Sequence, residues 1–499
     1  MILACWSAVL LGANWYELWK PRASQISGDT LIHLVFARNA VAGHPFEYNL
    51  GAPSRAMTAP LWNWVLAAAG WVTGTAQDNE GFLWGFRLLS VATLGVALWV
   101  AWRIGRRLEA GVLWAAGGLM VLGTNPSTFY WTVANPMETA GAALIALGMV
   151  AWAYRAAGDG RALIWALGGL LTGLGFLTRP ELVIFGGLAG GAAFLCATAK
   201  PWKGAAAFAG AALGVFAVWS GYLYFSGLAL LPNAGSARRL MLLQEDAKML
   251  PGLGIPYSPD AILFVGLFAP LVIGALLGLW LFARPGKAAA LAGLLMAGFA
   301  GMFFSFYFYS TWQGRYMLPA IFALAPVGVA GLSRGLARVP GWLVTLGIGG
   351  YATVLAVLFL HPLSRYADAP QERMALPKSY LQPPVGARKI LCQEIQSAYF
   401  YPGLFHVCTE GLIGLEALEA RKEGKTVRQF IDEQRPDLIG PGRYPLKDPD
   451  GVIPAIRKAA DAKADLELPG LKLVYLGEMA GCGPVFRTEW ATSRPAPNP

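Results

Sequence analysis

Charged residues are scarce in this sequence: Asp, Glu, Lys and Arg together make up only 14% of its 499 residues. Soluble domains average roughly 25% charged residues, so this composition excludes an ordinary soluble protein. Cysteine is also scarce, and the five cysteines show neither a disulfide framework nor the spacing of a zinc site. The first segment, residues 1–19, has no positively charged start and no small-residue cleavage site, so we expect it to remain as a membrane anchor.

Apolar residues, in contrast, make up 56% of the sequence, and its 19 Trp and 61 Gly are typical of membrane helices and their interfaces. Apolar runs that can cross a bilayer predict about eleven transmembrane helices. The run at residues 60–74 is short, and we predict that it does not cross. The predicted spans lie near residues 1–19, 82–103, 111–124, 138–154, 162–178, 182–199, 204–226, 261–283, 288–310, 316–333 and 342–361.

Basic residues between these runs set the predicted topology. The net charge of +10 comes from short clusters that fall at every second loop, and this distribution predicts no nucleic-acid partner. Positive clusters mark cytoplasmic loops, so the other loops face outward. Unusual polar residues gather in the outward loops, and ionisable groups at membrane depth are costly and usually functional. We therefore expect the functional site on the outer side.

The composition changes near residue 362, where charged residues and prolines become frequent. We predict a transmembrane domain over residues 1–361 and a soluble α/β domain over residues 362–499, on the outer side because the number of spans is odd. Cys392 and Cys408 are predicted either to pair across adjacent strands in an oxidising compartment or to remain two buried thiols. Strands are predicted at Lys389–Cys392, Leu404–Cys408, Asp437–Ile439 and Leu471–Leu476, and a helix at Leu412–Gln434.

Asp29 directly follows the first apolar segment. A carboxylate at the end of a spanning helix is rigid and partly desolvated, which raises its basicity. An inverting glycosyl transfer needs one such base to take the proton of the acceptor hydroxyl, so Asp29 is our candidate general base. Helix capping is the alternative, because Ser27, Asp29 and Thr30 all suit the start of the predicted amphipathic, membrane-surface helix Leu31–Ala42.

Further candidate residues lie in the segments that are predicted to face outward. His33 lies four residues after Asp29 on that helix, and the two are candidate ligands for a divalent metal, with a structural role for His33 as the alternative. Glu138 opens a span, where the helix dipole alone would also explain a carboxylate. Arginine suits two-point contact with phosphate, and three outward arginines are predicted to bind a lipid phosphate or, alternatively, to anchor headgroups: Arg179, Arg238 and Arg315.

An ordered set of short motifs resembles the GT-C fold glycosyltransferases, and among them the terminal arabinofuranosyltransferases of mycobacterial cell walls and their bacterial relatives. Gly28-Asp29-Thr30 and Thr58-x-Pro60-Leu61-Trp62 resemble the start and end of that family's first outer loop. That family has a glutamate and a tyrosine before a Thr-Ser-Pro sequence, and this sequence has other residues at those positions. The acceptor and the metal requirement of the family are therefore not carried over to this sequence. The later elements are Asn135-Pro136-Met137-Glu138-Thr139, Thr178-Arg179-Pro180-Glu181, Leu231-Pro232-Asn233 and Gly314-Arg315-Tyr316-x-x-Pro319.

The resemblance implies a polytopic α-helical GT-C enzyme in a bacterial inner membrane, with its active site and soluble domain in the periplasm. It implies inverting transfer of a sugar, arabinofuranose in that family, from a polyprenyl-phosphate donor to a glycan or glycoconjugate acceptor, with Asp29 as base and membrane lipids as partners. Six residues are then expected to bind the donor or the acceptor: His33, Arg38, Asn39, Glu138, Asn233 and Tyr316.

Two other functions remain open. A transporter or lipid-linked sugar flippase would favour ionisable residues buried within spans and repeated halves. The sequence instead places its charges at loop edges and shows no internal repeat, so the flippase is the second choice. A ligase that moves a whole glycan from a lipid carrier is chemically close to the transferase and stays an alternative.

Overall fold

The computed structural model describes residues 28–54, 57–197, 201–226, 268–281, 314–351, 381–392, 397–408, 416–441, 446–479 and 482–491. Within these residues the chain forms a helical bundle, residues 28–351, and then an α/β domain, residues 381–491. The predicted anchor, the predicted domain boundary and the candidate residues Asn233 and Arg238 lie outside the described residues.

The bundle helices follow the apolar runs of the sequence. They are α1 (Gly28–Val41), α2 (Pro60–Thr73), α3 (Asn79–Arg107), α4 (Val112–Thr124), α5 (Pro126–Phe129), α6 (Thr139–Ala156), α7 (Ala162–Thr178), α8 (Leu182–Cys196), α9 (Trp202–Phe225), α10 (Ala269–Leu281) and α11 (Leu318–Gly335). A short antiparallel pair, β1 (Glu47–Asn49) and β2 (Ala52–Pro53), follows α1, a π-helical turn (Tyr130–Ala134) follows α5, and a 3-10 turn (Gly314–Tyr316) precedes α11.

The predicted transmembrane helices are confirmed only in part. Of the described helices, four are long and apolar enough to cross a membrane, and α2 is not among them. The chain therefore has the helices of a multi-pass membrane protein, but the predicted count of eleven spans is not confirmed. The four are Gly81–Arg107, Thr139–Ala156, Trp202–Phe225 and Leu318–Gly335.

Helix α11 forms the centre of the bundle, because its residues 318–331 are all buried. It packs against α3, α4, α6 and α10. Its closest approach is to α10, where a Cβ atom on Gly328 would collide with the carbonyl oxygen of Leu271, and one on Gly274 with that of Gly328. Two glycines thus bring the backbones together, which is how helices associate inside membranes.

Helix α1 is confirmed, but it is not the exposed amphipathic helix that the sequence suggested. Its polar residues Arg38 and Asn39 are only 6% and 5% exposed. The helix packs between α2 and α12 (Ser397–Phe400) of the C-terminal domain. The alternation of apolar and polar residues therefore marks a helix enclosed by two domains, and its polar residues Arg38 and Asn39 bond to protein groups.

The C-terminal domain is built on one mixed sheet with the order β4-β3-β5-β8-β7-β6. Strand β3 runs parallel to β4 and β5, and the remaining neighbours are antiparallel. The strands are β3 (Lys389–Cys392), β4 (Phe405–Cys408), β5 (Leu438–Ile439), β6 (Leu466–Leu468), β7 (Leu471–Met479) and β8 (Gly483–Trp490).

All four predicted strands are present, and the sequence missed β6, β8 and α15 (Val452–Ala462). The predicted helix at Leu412–Gln434 is instead two helices, α13 (Glu416–Lys422) and α14 (Val427–Gln434). Gly424 lies between them with a φ of +73°, which a helix cannot contain, and the side chain of Thr426 caps α14 through the backbone N–H of Gln429.

A disulfide joins Cys392, at the end of β3, to Cys482, in the turn before β8, with a Cα–Cα distance of 6.1 Å. The predicted pairing of Cys392 with Cys408 is wrong, although the two are aligned in the register of β3 and β4. Strand β5 lies between β3 and β8 but ends early, and a Cβ atom on the following Gly440 would lie 2.6 Å from Cys482 Sγ. The absence of a side chain there leaves room for the bond.

We expect Cys392→Ser to lower the free energy of unfolding of the C-terminal domain by roughly 4 kcal/mol, since the bond closes a loop of 90 residues. Thermal unfolding of the full chain under non-reducing conditions measures this, and Cys482→Ser should match it without adding to it. The control is Cys196→Ser in α8, outside this domain, which should change little. Equal stability of the Cys392 variant and the wild type would contradict the pairing.

Candidate active site

Four charged side chains from separate segments meet at one end of the bundle. Asp29 lies in the first turn of α1, Glu138 immediately precedes α6, Arg179 lies between α7 and α8, and Arg315 lies in the 3-10 turn before α11. Because α6 packs against α7, α8 and α11, these helix ends are held in fixed positions. Three of the predicted catalytic and phosphate-binding residues, Asp29, Arg179 and Arg315, are thus brought to the same region.

Arg315 forms the first part of the site. Its Nη2 lies 2.6 Å from Asp29 Oδ2, and its guanidinium also donates to Met137 Sδ at 3.0 Å and to the Tyr316 hydroxyl at 3.1 Å. The group lies over the rings of Trp131 and Tyr316, 5.3 and 5.0 Å from their centroids. The Arg315 side chain is 4% exposed and that of Asp29 is 36% exposed. A buried cation therefore holds a carboxylate that remains accessible from outside.

Glu138 forms the second part of the site. Its Oε1 accepts from Arg179 Nη1 at 3.1 Å, and its Oε2 lies 3.0 Å from His33 Nε2. The Nε of Arg179 in turn donates to Glu181 Oε1 at 2.6 Å. The other ring nitrogen of His33, Nδ1, lies 2.7 Å from Asn63 Oδ1. These five residues form one continuous network that is buried except at the partly exposed Glu181.

The two parts share a charge environment, because Arg179 lies over the ring of Tyr316 at 4.6 Å. Burial alone would raise the pKa of the Glu138 carboxyl, but the hydrogen bond with His33 and the charge of Arg179 outweigh burial and hold the pKa far below its usual value. Burial would likewise lower the pKa of the Arg315 guanidinium, but the charge of Asp29 raises it above its usual value. Glu138 therefore stays ionised and Arg315 stays protonated.

His33 has a structural role, which was the predicted alternative to metal binding. Both ring nitrogens are engaged, by Asn63 and by Glu138, so neither is available to a metal in this arrangement. The described residues contain no group of three or more His, Cys, Asp or Glu side chains that would hold a metal ion. The predicted metal pair of Asp29 and His33 therefore has no support in the geometry, and we derive no metal chemistry.

Arg38 and Asn39 lie away from the charged cluster, at the other end of α1, roughly 14 Å from Asp29 along the helix axis. Arg38 donates to the backbone oxygens of Tyr399 and Ala398 at 2.9 and 3.0 Å. Asn39 donates to the backbone oxygens of Glu47 and Tyr48, its neighbours in the hairpin, at 2.9 and 3.1 Å. Their polar atoms thus hold α1 to the C-terminal domain and to the hairpin, and substrate binding by them stays an untested prediction.

Several site residues were not predicted. Asn63 is a single amide in the apolar run of α2, and an isolated polar residue there was the available signal. Glu181 belongs to the motif Thr178-Arg179-Pro180-Glu181, but no role was predicted for it from the sequence. Trp131 contacts Arg315 only because the chain turns through a π-helical segment, which the sequence pattern did not show. Arg87 lies inside the candidate span Gly81–Arg107 and is 6% exposed, which corrects the expectation that charges lie only at loop edges.

No protein-family model and no curated protein sequence matches the chain. Among solved structures, ArnT from Cupriavidus metallidurans, bound to undecaprenyl phosphate, matches with a TM-score of 0.57 and 14% identity over 96% of this chain and 97% of ArnT. The archaeal oligosaccharyltransferase AglB from Archaeoglobus fulgidus, in complex with an inhibitory peptide and a dolichol-phosphate, matches with a TM-score of 0.51 and 10% identity over 88% of this chain and 68% of AglB.

At these identities the likeness shows the fold alone. The chain has the fold of GT-C membrane proteins, so the fold expected from the sequence motifs is confirmed. The arabinofuranosyltransferase part of the resemblance is not shown by either structure and stays a prediction.

Glu138→Gln should lower the free energy of unfolding by about 1.5–3 kcal/mol at neutral pH, because Arg179 loses one of its two carboxylate partners and keeps Glu181. Since the folded-state pKa of Glu138 lies below its unfolded value, the carboxylate stabilises the fold above about pH 4.3 and loses this effect as the pH falls further. Unfolding measured at pH 7 and below pH 4 should show a difference from wild type that narrows in acid.

The matched control for this prediction is Glu109→Gln. Glu109 forms an exposed ion pair with Arg334 at 2.6 Å, and such surface pairs contribute about 0–1 kcal/mol. Equal effects of the two substitutions would contradict the role assigned to the buried network.

Proposed function

We propose that the protein is an inverting membrane glycosyltransferase that moves a sugar from a polyprenyl-phosphate donor to a hydroxyl of a glycan or glycoconjugate. Asp29 is its general base, and Arg315 binds the donor phosphate. The observation that carries this proposal is the contact of 2.6 Å between Arg315 Nη2 and the accessible carboxylate of Asp29. A base and an anion-binding group that are in contact can act on the two sides of one reacting carbon.

The proposed step is a single displacement. The acceptor hydroxyl oxygen attacks the anomeric carbon while Asp29 takes the hydroxyl proton. The bond between the anomeric carbon and the phosphate oxygen breaks, and the electron pair leaves with the phosphate. Arg315, with its two Nη groups and its buried environment, offsets the charge that develops on this oxygen. The product sugar is inverted, and polyprenyl phosphate is released.

Donor binding also controls the base. Asp29 is the counter-ion of Arg315 in the structure, and an adjacent cation lowers the basicity of a carboxylate. A phosphate that makes a two-point contact with Arg315 competes with Asp29 for the same guanidinium. The donor thereby releases Asp29 to accept a proton, so the base becomes effective only when a donor is present.

Support for the lipid-phosphate donor comes from the two structural neighbours, since both structures contain a polyprenyl-type phosphate, undecaprenyl phosphate or dolichol-phosphate. The ArnT match spans nearly the full length of both chains. Arabinofuranose, which the sequence resemblance implies, is the first donor sugar to test.

Support for an active site on the outer side comes from the disulfide. Disulfides persist in oxidising compartments such as the bacterial periplasm, and the bond between Cys392 and Cys482 lies in the C-terminal domain. Arg38 ties this domain to α1, and Asp29 lies in the first turn of α1. The proposed base therefore shares the side of the membrane on which the disulfide forms.

A second candidate function is transfer of a whole glycan from a lipid carrier, which the likeness to the oligosaccharyltransferase AglB favours. Both reactions use the same base and the same phosphate site. The mass of the product formed from a monosaccharide-linked and from an oligosaccharide-linked polyprenyl donor distinguishes the two.

Asp29→Asn should reduce sugar transfer by about 10²–10⁴-fold, because the general base is lost while the amide oxygen still accepts a bond from Arg315. Transfer of radiolabelled sugar from polyprenyl phosphate, followed by thin-layer chromatography, measures this, and a melting curve checks the fold. The control is Asp461→Asn, an exposed carboxylate of α15, which should transfer normally. Transfer by the Asp29 variant within a few-fold of wild type would end the proposal.

Donor binding should separate Asp29 from Arg315. Arg315→Gln should weaken donor binding by about 10- to 100-fold, the range for a lost bond to a charged group. Asp29→Asn should bind the donor as tightly as wild type or more tightly, because the neutral amide competes for Arg315 less strongly than the carboxylate does. Equilibrium binding of a polyprenyl-phosphate sugar to each purified variant measures both effects, and weaker binding by the Asp29 variant would contradict the competition.

A further inference from the structure

The described residues contain four buried arginines: Arg38, Arg87, Arg179 and Arg315. Three of them are paired with carboxylates or donate hydrogen bonds to backbone oxygens. Arg38 donates to two backbone oxygens, Arg179 pairs with Glu138 and Glu181, and Arg315 pairs with Asp29. Arg87 differs, because both its Nε and its Nη2 are buried without a hydrogen-bond partner in the described part of the chain and no carboxylate there pairs with it, whereas Arg315 has only its Nε unpartnered.

The position of Arg87 makes this unusual. It lies in α3, roughly 9 Å along the helix axis from Gly81, where the candidate span begins. Its guanidinium lies 4.9 Å from the ring centroid of Trp84, a side chain that is 37% exposed. A buried ion without a partner costs several kcal/mol, and an ionisable residue within a span indicates a functional site. Arg87 is therefore placed to meet an anion.

Ser90 provides a second polar group on the same face of α3, one turn further along. It is fully buried, and its Oγ has no hydrogen-bond partner among the described residues. A serine within a membrane helix commonly bonds back to a carbonyl in the preceding turn, as Thr93 of the same helix does to Leu89 at 2.8 Å. Ser90 does not, so its hydroxyl stays available beside Arg87.

Helix α3 also contacts elements that carry the candidate site. It packs against α6, which begins after Glu138, and against the π-helical turn that contains Trp131. Phe86, the residue before Arg87, contacts Trp62 of α2 with 6.0 Å between ring centroids. Arg179 and Arg315 already face carboxylates, whereas Arg87 is a buried cation with its charge uncompensated within the described residues. An incoming anion is drawn most strongly to such a group.

We propose that Arg87 and Ser90 bind the phosphate of a polyprenyl carrier lipid. The half-exposed Trp84 opens this position to the bilayer, where the available anions are lipid phosphates. This assignment rests on the proposed function. In that reaction, loss of the sugar converts a phosphodiester with one negative charge into a monoester that carries nearly two at neutral pH. Arg87 is proposed to hold this more highly charged carrier after it has left Arg315.

The test uses Arg87→Met in the purified full-length protein, with undecaprenyl phosphate as the probe. Binding should weaken by about 10- to 100-fold, and Ser90→Ala should weaken it by about 2- to 10-fold. The ligand-free melting temperature of the Arg87 variant should stay equal to that of wild type or rise, because an uncompensated buried charge has been removed. Unchanged binding, or a large fall in the ligand-free melting temperature, would overturn the assignment.

Arg103→Met is the matched control. Arg103 belongs to the same helix and also lies over a tryptophan ring, 5.6 Å from the centroid of Trp99, but it is exposed near the opposite end of α3. Its loss should leave undecaprenyl phosphate binding unchanged. A further variant, Arg87→Lys, keeps the cation without the two-point contact, and binding weaker than wild type supports the site while equal binding speaks against it.

Two further probes identify the source of the phosphate. Vesicles of phosphatidylglycerol and inorganic phosphate are titrated against wild type and Arg87→Met under the same conditions. A loss confined to undecaprenyl phosphate supports the carrier site, whereas an equal loss for phosphatidylglycerol overturns it in favour of general headgroup binding. No acceptor is present, so the result is separate from transfer: an active Asp29→Asn enzyme would end the proposed reaction and leave a measured loss of binding by the Arg87 variant intact.

Discussion

The buried guanidinium of Arg315 is the interaction on which the outer end of the bundle depends. A cation that is 4% exposed is tolerated only where charge and hydrogen bonds compensate it. Its compensation comes from three separate segments: Asp29 at the start of α1, Met137 before α6, and the ring of Trp131 in the π-helical turn. The contacts with Arg315 therefore fix the positions of these three segments relative to one another, and these positions determine the geometry of the site.

The C-terminal domain takes part in the same constraint through α1. Arg38 bonds to the backbone of α12, and the side chain of Asn49 bonds to the backbone of His406 in both directions, at 2.9 and 2.8 Å. Tyr399 packs into the apolar cluster that surrounds α1. The helix that carries Asp29 is thus held at its first turn by Arg315 and at its last turn by the soluble domain. This two-ended attachment explains why a helix rich in polar side chains is buried.

The sequence located the site better than it described its contacts. Asp29, Glu138, Arg179 and Arg315 were all recognisable, because a charge that interrupts or borders an apolar run is conspicuous. Their pairing was not, since contacts between distant segments depend on packing that has no local signal. Arg38 shows the limit: no local feature of the sequence indicated that it donates to the backbone oxygens of Ala398 and Tyr399 in α12. The disulfide partner of Cys392 was missed for the same reason, because Cys482 approaches it only once the sheet has formed.

The charge balance around Arg315 makes the proposed step electrostatically favourable. The leaving phosphate gains a negative charge near Asp29, Glu138 and Glu181, and the removal of one charge from this group offsets that gain. In the proposed step the proton that reaches Asp29 removes one negative charge as the leaving phosphate gains one. Arg315 contacts the first group and is proposed to contact the second, so the net charge next to it stays nearly constant. A fixed dipolar environment of this kind needs little reorganisation during the reaction, and the ion pair seen without ligand is its starting point.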